Sequence, residues 1–334
     1  MAGLNHSGAD WDVTDCAVRP LDLAATLSSG QAFRWRRDAA GIWWGTVGAT
    51  GVALWQREQE PDAPLYWRTF PRAHQRELVE QYLAMDVALS ELYEQWIRAE
   101  PAIAPAVRAY RGLRILRQPP VECFFAFQCA TCNTVVKIER SVHRLAERYG
   151  HAVRLDASDA VAAAHEARYG IATGGAPADL PALDNLPPLF TFPDIEALSR
   201  ASEADLRSDL WGYRAPRVVA LAQALRDFGA GWLPGLTSMP YAGAKGHLVA
   251  LHGIGEKVAD CICLFSLGKP DAVPVDTHVR QIACSLFAPE LAFKSLTPRV
   301  YAAIAAAYRD RFGAHAGWAQ QYLFLGAMRA RRRQ

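Results

Sequence analysis

Residues 251–278 read LHGIGEKVADCICLFSLGKPDAVPVDTH, and this stretch does most to decide the fold. Gly253 and Gly255 stand two apart and are followed by an apolar pattern with helical period. Two glycines at this spacing let the backbone turn tightly and present bare N–H groups at a helix N-terminus, where a phosphate can be held. The pattern therefore predicts a helix–hairpin–helix at about residues 245–278, whose two glycines either bind a phosphate or only form a tight turn.

Two side chains in this stretch could form a catalytic pair. Lys257 falls in the first turns of the helix after the glycines, and Asp276 follows the apolar run 272–275, where it is predicted to cap the next helix. Taken singly, a helical lysine usually faces solvent and an aspartate before a helix is usually only a cap. Their order within 28 residues, in a chain with five lysines and 31 arginines, favours a functional site.

Length, composition and charge limit the class of protein. The 334 residues, 51% of them hydrophobic, suffice for two or three compact units. No stretch approaches the roughly 18 apolar residues of a membrane span, and no apolar signal region is present. We therefore expect no membrane association and an intracellular protein, in the cytoplasm or nucleoid if bacterial and in the nucleus if eukaryotic.

The charge is unevenly distributed. Residues 1–100 carry 9 basic and 14 acidic side chains, whereas residues 101–334 carry 27 and 20, with a basic cluster at 329–333. Because phosphate contacts need local positive charge, this distribution is compatible with nucleic-acid binding by the second part. The seven cysteines are expected to be reduced, and the pairs 129/132 and 261/263 lack the further ligands of a metal centre.

Periodicity divides the chain into an α+β organisation. Residues 17–70 alternate apolar and polar residues, are rich in tryptophan and predict short antiparallel strands with one buried face. These aromatic residues could instead stack on single-stranded bases, but core packing is favoured. We expect an N-terminal antiparallel β-sheet domain with a linking helix over 1–100, then a mainly α-helical bundle over 101–334 that carries the helix–hairpin–helix.

Helical patterns and breakers predict the individual elements. Pro101 and Pro105 indicate a linker, and the glycines and prolines of 170–193 indicate a loop. The predicted helices are 75–98, 120–149, 156–168, 194–210, 214–228, 240–250, 256–267, 276–287 and 297–328.

The hairpin with its lysine and aspartate resembles that of the helix–hairpin–helix DNA glycosylases, and other strings resemble their 8-oxoguanine branch. These strings are SSGQAFRW (28–35), RILRQPPVECFFAF (114–127), GYRA (212–215) and AGWAQQYLF (316–324). The resemblance extends over about residues 21–329. It implies a monomeric, bifunctional enzyme that acts on double-stranded DNA containing oxidised guanine and requires no cofactor. Some members of the superfamily bind an iron–sulfur cluster through C-terminal cysteines, but no cysteine follows Cys284.

The resemblance implies roles for the catalytic pair and for a base pocket. Lys257 would attack the sugar and form a Schiff base, and Asp276 would balance the positive charge that develops on the sugar. The carbonyl of Gly30 would accept the N7 hydrogen that 8-oxoguanine has and guanine lacks. Gln320 would bind the Watson–Crick edge. The purine would be sandwiched by two further side chains, Phe324 and Cys261.

The resemblance also implies contacts to the rest of the DNA. His278 would lie near the phosphate of the damaged nucleotide, Tyr213 would fill the base stack as a wedge, and Arg214 would contact the opposite base. In eukaryotic family members an aspartate pairs with this histidine, but here Ala327 stands at that position. The charge state of His278 is therefore left open.

Two further features of the resemblance concern the opposite strand and the hairpin. Eukaryotic members have three consecutive asparagines and then an arginine, where this chain has Cys132, Asn133 and Thr134, then Lys137. Asn133 and Lys137 are the DNA-binding candidates in this region. Separately, backbone carbonyls of the hairpin could hold a structural cation, and those concerned are Val249, Leu251 and Ile254.

Two alternative functions remain open from the sequence. An alkyl-purine glycosylase of the same superfamily would use Asp276 alone in an aromatic pocket, and Lys257 with Gln320 argues against it. A non-catalytic helix–hairpin–helix module would bind the DNA backbone only, and would have little reason to keep both Lys257 and Asp276. Schiff-base trapping separates these classes, because only an enzyme with a nucleophilic amine is captured covalently.

Overall fold

The computed structural model describes residues 11–130, 133–155, 177, 179–183 and 186–332, except the side chain of Arg332. The chain begins with a five-stranded antiparallel sheet in the order β1-β5-β4-β3-β2. Its strands are β1 (Asp12–Thr14), β2 (Arg36–Arg37), β3 (Trp43–Val47), β4 (Thr50–Trp55) and β5 (Leu65–Phe70). The predicted N-terminal antiparallel sheet is confirmed.

Tryptophans of this domain pack in its core. Trp35 and Trp67 are buried, and their indole N–H groups donate to the hydroxyls of Tyr82 at 2.8 Å and Thr14 at 3.1 Å. A buried indole with its one donor satisfied is a core side chain. These two rings therefore have the structural role that the sequence favoured.

Helices make up most of the remaining described chain. The first group is α1 (Leu23–Ser28), α2 (Arg76–Tyr82), α3 (Leu89–Ala99), α4 (Ala104–Ala109), α5 (Pro120–Cys129) and α6 (Val135–Tyr149). The second group is α7 (Ile195–Ser199), α8 (Glu203–Leu206), α9 (Ala215–Phe228), α10 (Trp232–Gly235) and α11 (Tyr241–Val249). The third group is α12 (Glu256–Phe265), α13 (Thr277–Leu286), α14 (Pro298–Phe312) and α15 (Ala316–Arg332). The predicted α+β class is confirmed.

Several helices that were predicted to be continuous are interrupted in the structure. The helix predicted over 75–98 is broken between α2 and α3, where Ala84 has φ +50°, and the helix predicted over 297–328 is broken at Gly313, with φ +67°. The helix predicted over 194–210 is broken as well, and Leu210 near its end has φ +72°. A left-handed residue cannot continue an α-helix.

Other differences concern linkers and chain ends. The linker predicted at Pro101 and Pro105 is helical, because both prolines occupy the first positions of short helices, where a missing N–H costs nothing. The predicted helix over 120–149 is two helices, α5 and α6, and α15 extends past residue 328 to Arg332. The predicted helix over 156–168 and much of the predicted loop over 170–193 lie outside the described residues.

One large apolar core connects the elements that carry the site. It includes α5, of which residues 122–129 are all buried, and it extends to α3 through Leu89, Tyr93 and Trp96. The division of the chain at residue 100 stays a prediction. Helix α5 packs against α12, and α15 packs against α13 and α14, so the hairpin meets the last helix of the chain. Among the described residues, no helix is long and apolar enough to cross a membrane.

Candidate active site and DNA interface

The predicted hairpin forms between α11 and α12. Gly253 has φ +90°, and a Cβ at this position would lie 2.6 Å from the side chain of Arg217, so both conformation and space require glycine. Gly255 has ordinary extended backbone and caps α12, and a Cβ there would meet no atom within 4 Å. The first N–H groups of α12 have no intrahelical acceptors, which gives the hairpin an anion-binding end.

A pocket opens beside this hairpin and unites the catalytic and base-binding candidates. It lies between the loop after α1, α5, α12, the start of α13, and α15. Its lining residues are Ser29, Gly30, Phe127, Lys257, Cys261, Phe265, Pro274, Asp276, Val279, Gln320, Gln321 and Phe324. Every residue predicted to act on the sugar or the base lies in this one pocket.

Lys257 lies against aromatic and sulfur groups. Its Nζ is 5.4 Å from the ring centre of Phe127, and its neighbour one turn on is the buried Cys261. Burial raises the pKa of the Cys261 thiol to about 11, although Lys257 opposes the rise, so the thiol is protonated at neutral pH. No carboxylate in the described part of the chain lies within 4.0 Å of the amine.

Asp276 caps α13, as its position after an apolar run predicted. Its Oδ1 accepts a hydrogen bond from the backbone N–H of Val279 at 2.8 Å, while the residues of 272–275 are buried. The cap uses one carboxylate oxygen, and the other accepts no hydrogen bond from the described residues. A structural role as a cap and a chemical role in the pocket are therefore compatible.

The base-binding candidates come from three separated parts of the chain. Gly30 has φ +81°, in the left-handed region that favours glycine. Gln320 is 3% exposed, and its Oε1 is buried with no hydrogen-bond partner among the described residues. Phe324 stands one turn further along α15, and its ring centre is 6.2 Å from that of His278. An unpaired buried amide oxygen costs free energy unless a ligand satisfies it.

A buried amide network holds the Gly30 loop in place. The Nε2 of Gln31 donates to the carbonyl of Arg114 at 2.8 Å, and its Oε1 accepts the N–H of Leu116 at 2.8 Å. The side chain of Gln118 donates to the carbonyl of Gln31 at 2.6 Å. The backbone beside Gly30 is thus fixed from both sides by residues more than 80 positions away.

The candidates for the base stack and the opposite strand lie outside the pocket. Tyr213 is 63% exposed, and the guanidinium carbon of the buried Arg214 lies 4.3 Å from its ring centre. Lys137 is exposed on α6, while the amide of Asn133 donates to the carbonyl of Cys129 at 3.3 Å. Cys132 lies outside the described residues.

The carbonyls proposed for a cation lie at the hairpin. Leu251 follows α11, and its carbonyl accepts the N–H of Ile254 at 3.0 Å, which leaves one lone pair of this oxygen for an ion. Val249 is the last residue of α11. Elsewhere in the described chain, no group of three His, Cys, Asp or Glu side chains could hold a metal, and the six described cysteines are free.

Sequence reasoning missed two kinds of residue at the site. Phe127 was quoted within a motif but given no role, because an apolar residue of a buried helix has no distinguishing pattern. Lys245 and Asp260 were missed as well. They lie behind the hairpin, where the amine of Lys245 is 2.9 Å from a carboxylate oxygen of Asp260. The apolar surroundings of Asp260 within the string VADCICLF were the one local signal that it needs a buried partner.

Comparisons with known proteins agree with this geometry. A family model described as the N-terminal domain of 8-oxoguanine DNA glycosylase matches residues 13–124, and one described as HhH-GPD superfamily base excision DNA repair protein matches residues 133–292. The chain is 32% identical over 318 residues to the N-glycosylase/DNA lyase OGG1 of Arabidopsis thaliana, covering 93% of this chain and 79% of that relative.

Two further similarities cover nearly the whole chain. The N-glycosylase/DNA lyase of Saccharomyces cerevisiae is 28% identical over 341 residues, covering 91% of this chain and 82% of that relative. The fold matches the Clostridium acetobutylicum 8-oxoguanine glycosylase/lyase, solved with double-stranded DNA that contains cytosine opposite 8-oxoG, at a TM-score of 0.76 and 23% identity over 97% of each chain.

These matches and the hairpin define the class as helix–hairpin–helix DNA glycosylases. Within this class, the chain belongs to the 8-oxoguanine N-glycosylase/DNA lyase family.

Proposed function

We propose that this protein is a bifunctional DNA glycosylase that excises 8-oxoguanine from double-stranded DNA and then cleaves the strand at the abasic site. The observation that supports it best is that Lys257 and Asp276 open onto the same pocket as the base-binding candidates. The reaction uses only an amine and a carboxylate, so no cofactor is required. Because the substrate is genomic DNA, the enzyme acts inside the cell, and the compartment stays a prediction.

The proposed reaction has two stages. Lys257, as the neutral amine, attacks the anomeric carbon while the bond to N9 breaks, and the base leaves with the bond electrons and takes up a proton. The anionic Asp276 stabilises the positive charge that develops on the sugar. The adduct opens to a Schiff base, and loss of a proton from C2′ then expels the 3′ phosphate by β-elimination.

Recognition requires that the target base leaves the duplex. In the pocket, the carbonyl of Gly30 accepts the N7 hydrogen of 8-oxoguanine, and Gln320 binds the Watson–Crick edge. The unpaired Oε1 of Gln320 supports this role, because the purine edge offers donors. Phe324 and the protonated Cys261 lie on the two faces of the purine in this proposal.

The duplex itself is held by groups around the pocket. We propose that the N–H groups at Gly253 and Gly255 bind a backbone phosphate and that the exposed Tyr213 fills the gap in the stack. Arg214, Asn133 and Lys137 are proposed to face the opposite strand. His278 is proposed to bind the phosphate of the damaged nucleotide.

A hairpin cation is a separate proposal. The carbonyls of Val249, Leu251 and Ile254 would hold a monovalent or divalent ion that faces a DNA phosphate and adds positive charge to the hairpin. Duplex affinity measured in potassium and in a bulky organic cation at equal ionic strength tests it. Equal affinities in the two salts would contradict a specific ion site.

Borohydride trapping tests the proposed chemistry. The wild-type protein is incubated with a duplex that carries 8-oxoguanine opposite cytosine, and a covalent protein–DNA adduct is expected. Lys257→Gln should give no adduct, while Lys294→Gln, which removes an exposed lysine, should trap like wild type. An alkyl-purine glycosylase would release methylated purines without being trapped, and a non-catalytic module would bind the duplex and release no base.

A further inference from the structure

An arginine near the end of α15 reaches across to α13 and binds the candidate phosphate-binding histidine. One terminal nitrogen of Arg331 lies 2.7 Å from Nδ1 of His278, and the other donates to Oε1 of Gln281 at 2.6 Å. The guanidinium is therefore held at two points on one face of α13. Asp276 caps the start of that helix.

These partners determine which nitrogen of His278 carries a proton. A guanidinium has five N–H donors and no acceptor, so Nδ1 must accept and must hold a free lone pair. A ring with an unprotonated Nδ1 is neutral and carries its one hydrogen on Nε2. In an imidazolium both nitrogens are donors, and the observed pair of Arg331 and His278 could not form.

The charged partner of His278 is a cation in this protein, whereas the resemblance implies an anion in eukaryotic family members. Ala327, where the resemblance to eukaryotic members implies an aspartate, stands one helical turn before Arg331 on the same face of α15. The other charged groups on α13 and its cap are Asp276 and Arg280, and Arg280 donates to backbone carbonyls that include Ala292 at 2.8 Å. Positive charge beside the ring is thus supplied by Arg331.

The guanidinium also has unused donors. Two of its five N–H groups are accounted for by His278 and Gln281, and Arg331 is exposed to solvent. An exposed guanidinium, held in place with free donors beside another N–H donor, is suited to a phosphate.

We propose that Arg331 is a phosphate-binding residue that also positions His278. It holds the imidazole as a neutral Nε2–H donor and supplies the positive charge for the same DNA phosphate. This inference rests on the proposed function in one respect, which is that His278 faces the DNA backbone. It assigns the positive charge beside that phosphate to Arg331, near the end of α15. Base excision is not needed for it.

The first measurement is the tautomer of His278 in the free protein at neutral pH, by ¹⁵N NMR of the imidazole. We expect a protonated Nε2 and an unprotonated Nδ1 in the wild type and in Arg331→Gln, whose amide still donates. The double variant Ala327→Asp/Arg331→Ala should instead show both nitrogens protonated. An imidazolium, or a proton on Nδ1, in the wild type would overturn the proposal.

The second measurement is the salt dependence of binding to an uncleavable duplex with a tetrahydrofuran abasic site. Each phosphate contact contributes about 0.9 to the slope of log K against log salt concentration, so Arg331→Ala and Arg331→Gln should each lower the slope by about that amount. Arg200→Ala, a control that removes an exposed arginine bonded within its own helix, should leave both slope and tautomer unchanged. An unchanged slope in both Arg331 variants would overturn the proposal.

The two experiments separate this inference from the proposed function. A protein that fails to excise 8-oxoguanine, yet binds the abasic duplex with an Arg331-dependent slope, would contradict the proposed function and support the inference. A protein that excises 8-oxoguanine but shows wild-type slopes in both Arg331 variants would support the proposed function and contradict the inference.

Discussion

The two faces of α12 carry opposite kinds of polar group. On the face toward α11 and α14, Asp260 is fully buried and surrounded by donors, whereas on the face toward the pocket Lys257 lies over an aromatic ring. The first face pairs its charges within the protein, whereas on the second the amine of Lys257 has no carboxylate partner among the described residues. The difference indicates which face is scaffold and which is available for a substrate.

The scaffold face is a closed network. Asp260 accepts hydrogen bonds from Tyr241 at 2.6 Å, Tyr301 at 2.6 Å and Lys245 at 2.9 Å. The hydroxyl of Tyr301 in turn accepts the N–H of Val275 at 3.0 Å. Because Val275 directly precedes Asp276, this network fixes the position of the proposed catalytic carboxylate relative to α12.

On the pocket face, by contrast, the charged group is not paired within the protein. Lys257 has no carboxylate partner among the described residues, while Lys245 has two, Glu256 at 2.7 Å and Asp260 at 2.9 Å. Across the pocket, Gln320 keeps a buried oxygen without a partner. Preorganised but unsatisfied groups are what a site needs to bind a transition state.

The strongest test of this contrast is Lys257→Gln. We expect loss of both base excision and strand cleavage, with thermal stability and duplex affinity near wild type, because the amine contributes chemistry and no ion pair to the fold. Single-turnover excision, thermal unfolding and duplex binding measure the three quantities. Base release above a few per cent of wild type would show that Lys257 is not the nucleophile.

Asp276→Asn separates the structural role of this residue as the cap of α13 from its proposed chemical role. Asparagine caps a helix about as well as aspartate, so the free energy of unfolding should change little. Excision should slow strongly, because a neutral amide cannot balance the charge on the sugar. Single-turnover rates are compared with chemical denaturation. A normal rate with reduced stability would make Asp276 only a cap.

Lys245→Gln should show the reverse of the Lys257 result. It removes the cationic partner of a fully buried carboxylate, and breaking a buried ion pair costs about 3–5 kcal/mol of stability. Pairing it with Asp260→Asn removes the uncompensated charge, so the double variant should lose less than the two single losses added together. Urea unfolding measures all three, and additive losses would mean that these two side chains are not energetically coupled.

The sequence predicted the pocket face better than the scaffold face. The glycine hairpin, Lys257 and Asp276 form a local motif, so their order within 28 residues and the family resemblance predicted them together. The three partners of Asp260 lie 15, 19 and 41 residues away on α11 and α14, and no periodicity shows which buried polar groups will meet. Arg331 was predicted only as part of the basic cluster at 329–333, because its partners on α13 lie about 50 residues away in the sequence.

The sheet was predicted and the helix ends were not, for a related reason. The alternation of apolar and polar residues along a strand extends over several positions, so one atypical residue does not hide it, as in β3 and β4. A break such as Ala84 depends on one left-handed residue that tertiary packing imposes, and alanine gives no local signal for it.

Gln320→Ala tests the base-binding side of the pocket, and we expect a moderate loss of activity. Removing the amide should lower kcat/KM for 8-oxoguanine excision by a factor that corresponds to about 1–3 kcal/mol, because the Watson–Crick edge loses its partner. Stability should not fall by a similar amount, since Oε1 has no protein partner to lose. Gln31→Ala is the matched control, a buried amide whose polar atoms are used within the fold, and it should lose stability. Unchanged kinetics in Gln320→Ala would remove this residue from the pocket.

The smallest expected effect concerns the opposite base, which neither face of α12 touches. Cys132 is a weak hydrogen-bonding group, and Lys137 is a point charge without a planar fork. The amide of Asn133 donates to the carbonyl of Cys129 at the end of α5. Arg214 remains, so cytosine should still be preferred opposite 8-oxoguanine, but excision opposite thymine or guanine should come closer to it than in eukaryotic family members. Cys132→Asn with Lys137→Arg should sharpen the preference several-fold, because an amide and a planar guanidinium add bonds that are specific to cytosine. Single-turnover incision on duplexes with each of the four opposite bases measures this. A wild-type protein already as strict as those relatives would refute it.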